Sequence, residues 1–400
     1  MREPRSLAYL LLRVNDWVEQ VEAAANKGVW RRLRPEHVRD WLPLLGMLAK
    51  LRDRSRMDHS WLIGGVEELF RLPECRDALR EAVRSADRGA ARMGFAIAMG
   101  AEVSDRCEFV ELALQSFDPV VRMSAASCVK EWTMCPNRAT LLTRMGHDPF
   151  MPIRRQALYA MLDSPKPDRT KWLVRSLLDF HHSMRHAARV YLREEDTGFD
   201  ARAVYFDTLS GAEGRSLASA IAGLGETGAK SDAEMLLAFA GHRRACVAAA
   251  AVRAIVALDG DQRVEWLIQT LSEASPAAAR EAAVALEPHV GGLPVERLKT
   301  LVTSEFPHTR RLALRLLLRR HPFDAITDAL RGAMSEDTAL AGMALEYIDG
   351  LKRREVRNGP TQGQSESVRV LLESERCGLE DRLDARVREF IRLPRRVKSS

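Results

Sequence analysis

The sequence predicts an all-α fold: an α-solenoid wound as a right-handed superhelix of about nine helix pairs. Three observations predict it. Apolar residues make up 46% of the chain and aromatics only 6%. Ala and Leu supply much of that apolar content, and they favour helices where β-branched and aromatic residues favour strands. No strand alternation of useful length appears anywhere. A pattern also returns about every 31 residues through most of the 400-residue chain, the mark of units that must stack to bury their apolar faces. With 29% charged residues beside that apolar content, a disordered chain is excluded.

The period is anchored on small residues. From Ala125, successive steps reach Ala157, Ala188, Ser219, Ala251, Ala282, Ala313 and Ala344, and one step back reaches Gly94. Four residues after each anchor stand Ala98, Val129, Met161, Leu192, Gly223, Ile255, Leu286, Leu317 and Ile348, apolar in every unit but the one with Gly223. Six residues before it, Pro119, Pro276 and Pro307 recur, and three before it Arg122, Arg154, Arg185 and Arg310. A small residue at a fixed register lets neighbouring helices approach closely.

The elements follow in order. Residues 1–57 read as an N-terminal helical cap of two long helices, Ser6–Asn26 and Pro35–Arg52, with Trp17, Trp30, Trp41 and Trp61 closing the open end of the core. The alternative role for these tryptophans is a partner surface. Residues 58–357 read as the repeat array. The first helices of its units fall at Glu108–Gln115, Trp172–Leu178, Ala201–Leu209, Glu234–Ala240, Val264–Leu271, Val295–Val302 and Ala325–Leu330. The second helices carry the anchors. Asp118-Pro119 supplies an N-cap acid and a proline at the first helical position. Gly225-Glu226-Thr227-Gly228, Asp259-Gly260-Asp261, Gly291-Gly292 and Ser335-Glu336-Asp337 read as turns between units. Residues 358–367 read as a flexible linker, and 368–400 as a C-terminal helix with the basic tail Arg395-Arg396-Val397-Lys398.

The run Asp118-Pro119-Val120-Val121-Arg122 followed by Ala125-Ala126, in a period near 31 residues, resembles HEAT repeats. It is most similar to the short bacterial type named after the phycobilisome lyases, as is Leu224-Gly225-Glu226-Thr227-Gly228 before a new helix. The resemblance covers roughly residues 58–350 and implies a helical-repeat fold. It implies little of function, because repeat scaffolds host many unrelated tasks. The units around Ser219 and Ala344 depart from the pattern, with Glu213 and Ser216, or Thr338 and Ala341, where Pro and Arg are expected. Weaker packing is expected there.

Catalytic motifs are sparse. Gly223 to Ser231 nearly spells a phosphate-binding loop, but Ala229 intervenes and no strand precedes it. His182 and His186 share a helix face at a metal-ligand spacing, with His181 and Asp179 beside them. The expectation is nevertheless turn histidines and no metal. No His is followed by Glu, whereas diiron hydroxylases with HEAT folds carry repeated His-Glu pairs. Asp118 with Arg122, Asp148 with Arg154 and Asp179 with Arg185 recur near helix starts. A catalytic site occurs once, so this recurrence reads as a ladder of caps and ion pairs between neighbouring units.

Charge supplies the candidate binding residues. The net charge is +6, and 52 of the 61 basic residues are arginines, the residue that grips carboxylates and phosphates in planar forks. Arg311, Arg315 and Arg319 share one sector of about 80° on the helix 307–320 and must face outwards or meet acids such as Asp324, Asp328 or Glu296. Arg185, Arg189 and Arg193 form a second ladder. Cysteines at 75, 107, 128, 135, 246 and 377 form no CxxC pair and read as small buried residues in a reducing cytosol. The apolar stretch Leu7–Leu12 is too short for a membrane span, and no small-residue cleavage site follows it.

The sequence therefore points to a cytoplasmic, non-catalytic scaffold that mediates protein–protein interaction, with an acidic protein as candidate partner and no cofactor, metal or membrane. The runner-up is a nucleic-acid binder similar to the HEAT-like DNA alkylation-repair proteins. A bilin lyase or its chaperone follows from the lyase resemblance alone.

Overall fold

The computed structural model describes residues 5–54, 58–100, 103–132, 136–354, 356, 359–374 and 379–393. Among these residues there are helices and turns and no strand. Second helices begin after caps at Asp87, Asp118, Phe150, His181, Glu213, Arg244, Ser275, Phe306 and Asp337, every 31 or 32 residues. A first helix precedes each of them, so nine helix pairs are present among the described residues.

One local bond enforces most of these starts. Two residues before the cap, a polar side chain accepts the backbone N–H of the cap residue. Ser85 does this for Asp87, Ser116 for Asp118, Asp148 for Phe150, Asp179 for His181, His242 for Arg244, Ser304 for Phe306 and Ser335 for Asp337. These are Asx- and ST-type turns, in which a side chain replaces a backbone acceptor at an otherwise open helix end. The unit capped by Glu213 lacks such a side chain. There the turn is made by Gly214 at φ +56°, a conformation that glycine alone adopts without strain.

Measured from the caps, the small anchor lies seven residues on in every unit. The anchors Gly94, Ala125, Ala157, Ala188, Ala251, Ala282, Ala313 and Ala344 are all buried. In the unit capped by Glu213 the equivalent residue is Ala220, not the expected Ser219, and the apolar position four further on is Leu224, not Gly223. The apparent exception was a one-residue slip of register. Gly223 instead lies where any Cβ would strike the Tyr205 ring. Ser335-Glu336-Asp337 likewise proves to be a turn within a pair, not between units.

The chain divides into two compact units, Met1–Leu173 and Val174–Ser400. In the first, one continuous core runs from Leu7, Leu11 and Val14 to Ala157 and Met161. Its N-terminal segment is more broken than expected. Helices Arg5–Arg13, Glu19–Trp30, Val38–Trp41 and Leu45–Arg54 replace the two long ones, with a turn at Asp16–Val18 and 3₁₀ segments at Pro35–His37 and Leu42–Leu44. Only Trp41 serves the core there. It is fully buried and donates its indole N–H to the Arg32 carbonyl at 2.8 Å.

In the second unit, Ala248, Val252, Ala279, Ala282, Leu316 and Leu317 belong to one apolar cluster. Ile326, Leu330, Ile348, Val368 and Val387 belong to another that takes in the C-terminal helices Gln362–Glu373 and Asp381–Phe390. The expected linker at 358–367 is thus helical from Gln362, because Thr361 and Gln364 form a reciprocal capping box. The basic tail lies outside the described residues, as do Cys135 and Cys377. Cys75 is buried as expected, but Cys246 is exposed.

Candidate functional site

The recurring arginines are built into the repeat. Four of the nine second helices among the described residues place an arginine three residues before the anchor, one turn in from the cap: Arg122, Arg154, Arg185 and Arg310. From there one guanidinium nitrogen reaches back to carbonyls of its own turn. Arg122 donates to Ser116 O and Phe117 O, Arg154 to Asp148 O and Pro149 O, Arg185 to Asp179 O, and Arg310 to Ser304 O and Glu305 O. The remaining nitrogens of Arg122 and Arg310 reach the turn of the following unit, at Asp148 (2.8 Å) and Asp337 (2.7 Å). Arg92 does the same to Asp118 at 2.5 Å. The expected ladder is present with a shifted partner at three turns: Asp118, Asp148 and Asp337 are each held by an arginine of the preceding unit.

Two further tracks of ion pairs join consecutive units. First helices are clipped together by Arg76 and Arg80 with Glu108, Arg202 with Asp232, Arg263 with Glu234 and Arg297 with Glu265. Second helices are joined by Arg253 with Glu281 and Arg315 with Glu287. The arginine hydrogen bonds hold the carboxyls of Glu108, Asp118, Asp232 and Asp337 below their ordinary values. Burial pushes Asp328 the other way despite Arg320 at 3.3 Å.

The candidate arginines divide accordingly. Arg315 and Arg319 meet Glu287, the residue after the preceding second helix, and not Asp324, Asp328 or Glu296. Arg311 is exposed and bonds the Pro307 carbonyl of its own helix. Arg185 is only 4% exposed. It grips Glu226 with two nitrogens, and Arg189 shares the same carboxylate at 2.6 Å while donating to the buried Tyr205 hydroxyl at 3.1 Å. Burial pushes the Tyr205 phenol up. Arg193, two turns along, is exposed.

The glycine-rich stretch is no phosphate loop. Helix Gly214–Thr227 runs through it, and a Cβ on Gly225 would meet the Ala254 backbone at 2.7 Å. His181 caps its helix by accepting the Ser183 N–H, and its ring stacks on His182 at 5.0 Å. Among the described residues no three of His, Cys, Asp and Glu converge on a metal position, and no helix is long and apolar enough to cross a membrane.

Sequence reasoning missed the exposed phenylalanines, though it weighed a partner surface for the tryptophans. Phe117 is 87% exposed and Phe150 is 42% exposed, on successive turns of the first unit, with half-exposed Val120 beside Phe117. Phe180 and Phe306 stand at the equivalent turns of the second unit. Trp17 is 90% exposed, with Tyr9, Leu12 and Trp30 also outside the core. The signal was available: a Phe at or just before the cap residue recurs at 117, 150, 180 and 306.

No protein-family model and no curated protein matches the chain. Among solved structures, it is similar over 98% of its length to a chain of the Kap95p–RanGDP structure, at 9% identity and a TM-score of 0.39, covering 66% of that chain. It is similar over 97% of its length to Kap121p, at 12% identity and a TM-score of 0.34, covering 56% of that chain. A structure of tubulin recruitment by TOG-domain arrays matches at 10% identity and a TM-score of 0.32, with 97% of this chain and 96% of that one covered. These likenesses are too distant to transfer a partner.

Proposed function

We propose that the chain is a non-catalytic helical-repeat scaffold that holds a protein partner on its turn edge. The observation that carries this reading is the pair of exposed phenylalanines in the first unit, Phe117 just before the cap Asp118 and Phe150 at the cap of the next repeat. A turn needs no aromatic side chain at that position, as Ala212 and Arg243 show in other units. Large apolar side chains held in water on a rigid frame favour contact with a partner, and aromatics dominate the energetics of such contacts. Four of the six arginines on which nucleic-acid binding would stand, Arg185, Arg189, Arg315 and Arg319, are drawn into ion pairs with Glu226 and Glu287.

Affinity capture from native extract tests the reading, with the captured proteins identified at low and high salt. The unaltered chain should retain a defined partner at both, because apolar contacts resist salt. The Phe117→Ser/Phe150→Ser variant should lose it while its helix content and melting stay unchanged. Equal capture by both forms, or nuclease-sensitive capture of nucleic acid alone, would overturn it.

A further inference from the structure

The helix Arg5–Arg13 is apolar all round. Leu7, Leu11 and, just past its end, Val14 are buried in the core of the first unit. Leu10 packs against Gly28 of the neighbouring helix Glu19–Trp30. Tyr9 stands about 160° from both Leu7 and Leu11, on the back of the helix, and Leu12 adjoins it one turn on. Yet Tyr9 is 68% exposed and Leu12 is 60% exposed, and Trp17 follows them uncovered in the turn Asp16–Val18. A helix with apolar residues on every side is ordinarily a buried one. The helix Gln362–Glu373 shows the usual division: Val368 and Leu372 are buried, and apart from Val370 its outer face carries Ser367 and the Glu366–Arg369 ion pair. The back of Arg5–Arg13 is therefore an unpartnered helix face, with no described residue packed over it.

We propose that this face is an interface between two copies of the chain, related by a two-fold axis, with Tyr9, Leu12 and Trp17 of one copy packed on the same residues of the other. Two observations select that occupant. The first is area. Large aromatic side chains present about 150–250 Å² each. Tyr9, Leu12 and Trp17 thus leave on the order of 500 Å² of apolar surface open, enough for the centre of the roughly 800 Å² per partner that a stable complex buries. The second is charge. Beside the face stand Arg13, which uses one nitrogen on Asp16 and is 66% exposed, and the exposed Glu19 at the start of the next helix. A two-fold contact sets each surface against its own copy, so Arg13 of one copy meets Glu19 of the other and the pair forms twice. Nucleic acid and anionic membranes recruit positive charge alone, and Glu19 repels both. Helix against helix is also the packing that this fold uses throughout. Tyr9 and Leu12, one turn apart, form a ridge that fits the groove of a second such helix. The contact is separate from the turn edge at Phe117 and Phe150 and does not depend on the scaffold reading.

The test is sedimentation equilibrium of the full chain over a range of about 1 to 100 μM. The apparent mass should rise from 44.9 kDa towards twice that value. The Leu12→Ser/Trp17→Ser variant alters only exposed side chains, so its circular dichroism and melting should match the parent. Its self-association should be weaker by about tenfold or more. Glu19→Arg should weaken association more at low salt than at high salt. Phe117→Ser/Phe150→Ser should leave it within about twofold, because those residues lie outside the contact. A single-copy mass across the whole range would overturn the proposal. So would equal association of the Leu12→Ser/Trp17→Ser variant and the parent. Binding of single-copy chains to vesicles of anionic phospholipid, lost in that variant, would give the face to a membrane and overturn it as well. Each of these failures would leave the turn-edge reading standing, since its test uses other residues.

Discussion

Arg122 shows how one residue type carries the repeat. Its side chain is 12% exposed and that of its partner Asp148 is 7% exposed, and it also satisfies two carbonyls of its own turn. Arg122→Met should therefore cost about 2–3 kcal/mol, since a buried carboxylate and two carbonyls lose a donor. A double-mutant cycle with Asp148→Asn should show coupling above about 0.5 kcal/mol, and additive effects in urea unfolding would refute the pairing. The lowered carboxyls of Asp118, Glu108 and Asp232 set the acid limit. A carboxyl lowered by folding contributes stability that is present above its unfolded value, 3.8 for Asp and 4.5 for Glu. That contribution is lost as pH falls through the lower folded value. Stability should thus decline below about pH 4.5, and Arg92→Gln, which frees Asp118, should remove part of that decline. An unchanged acid profile for Arg92→Gln would contradict the assignment. The acids that partner Arg185 and Arg315 were not legible in the sequence. The sequence reads Glu226 as part of a turn, whereas it lies in the last turn of helix Gly214–Thr227, and nothing in its spacing links it to a helix one unit earlier.

At the scale of the helix, small residues decide how close neighbours come. Ala313 has no exposed surface and sits at the anchor register, so Ala313→Leu should cost about 1–3 kcal/mol by overpacking. Gly225→Ala makes a sharper test. In an open helix that change stabilises by roughly 0.5–1 kcal/mol. Here the new methyl would meet the Ala254 Cα at 2.7 Å, so the variant should melt below the parent; a higher melting temperature would show that the two helices are not in contact there. Element existence was legible because caps, prolines and small anchors repeat together. The first helices Ala201–Leu209 and Val295–Val302 lie where the apolar pattern puts them. The N-terminal helices were less legible, because that segment has no second copy of its pattern to compare with. Composition there suggested four core tryptophans, yet the turn at Asp16–Val18 leaves Trp17 in water.

Among the described residues, nine helix pairs of one design are distributed between two compact units. The ion-pair tracks join residues 26 to 32 positions apart, so each of these contacts is between adjacent repeats. Stability in such a chain is a sum of local terms and nearest-neighbour interfaces, with protection greatest on the buried second helices. Phe117 and Trp17, 87% and 90% exposed, add little to that sum through burial. Hydrogen exchange followed by mass spectrometry on the full chain tests the repeat account most directly. It should show slow-exchanging segments on the second helices, recurring every 31 or 32 residues after the caps from Asp87 to Asp337, with fast exchange at the intervening turns. Protection concentrated in one contiguous stretch, or spread with no such period, would contradict it.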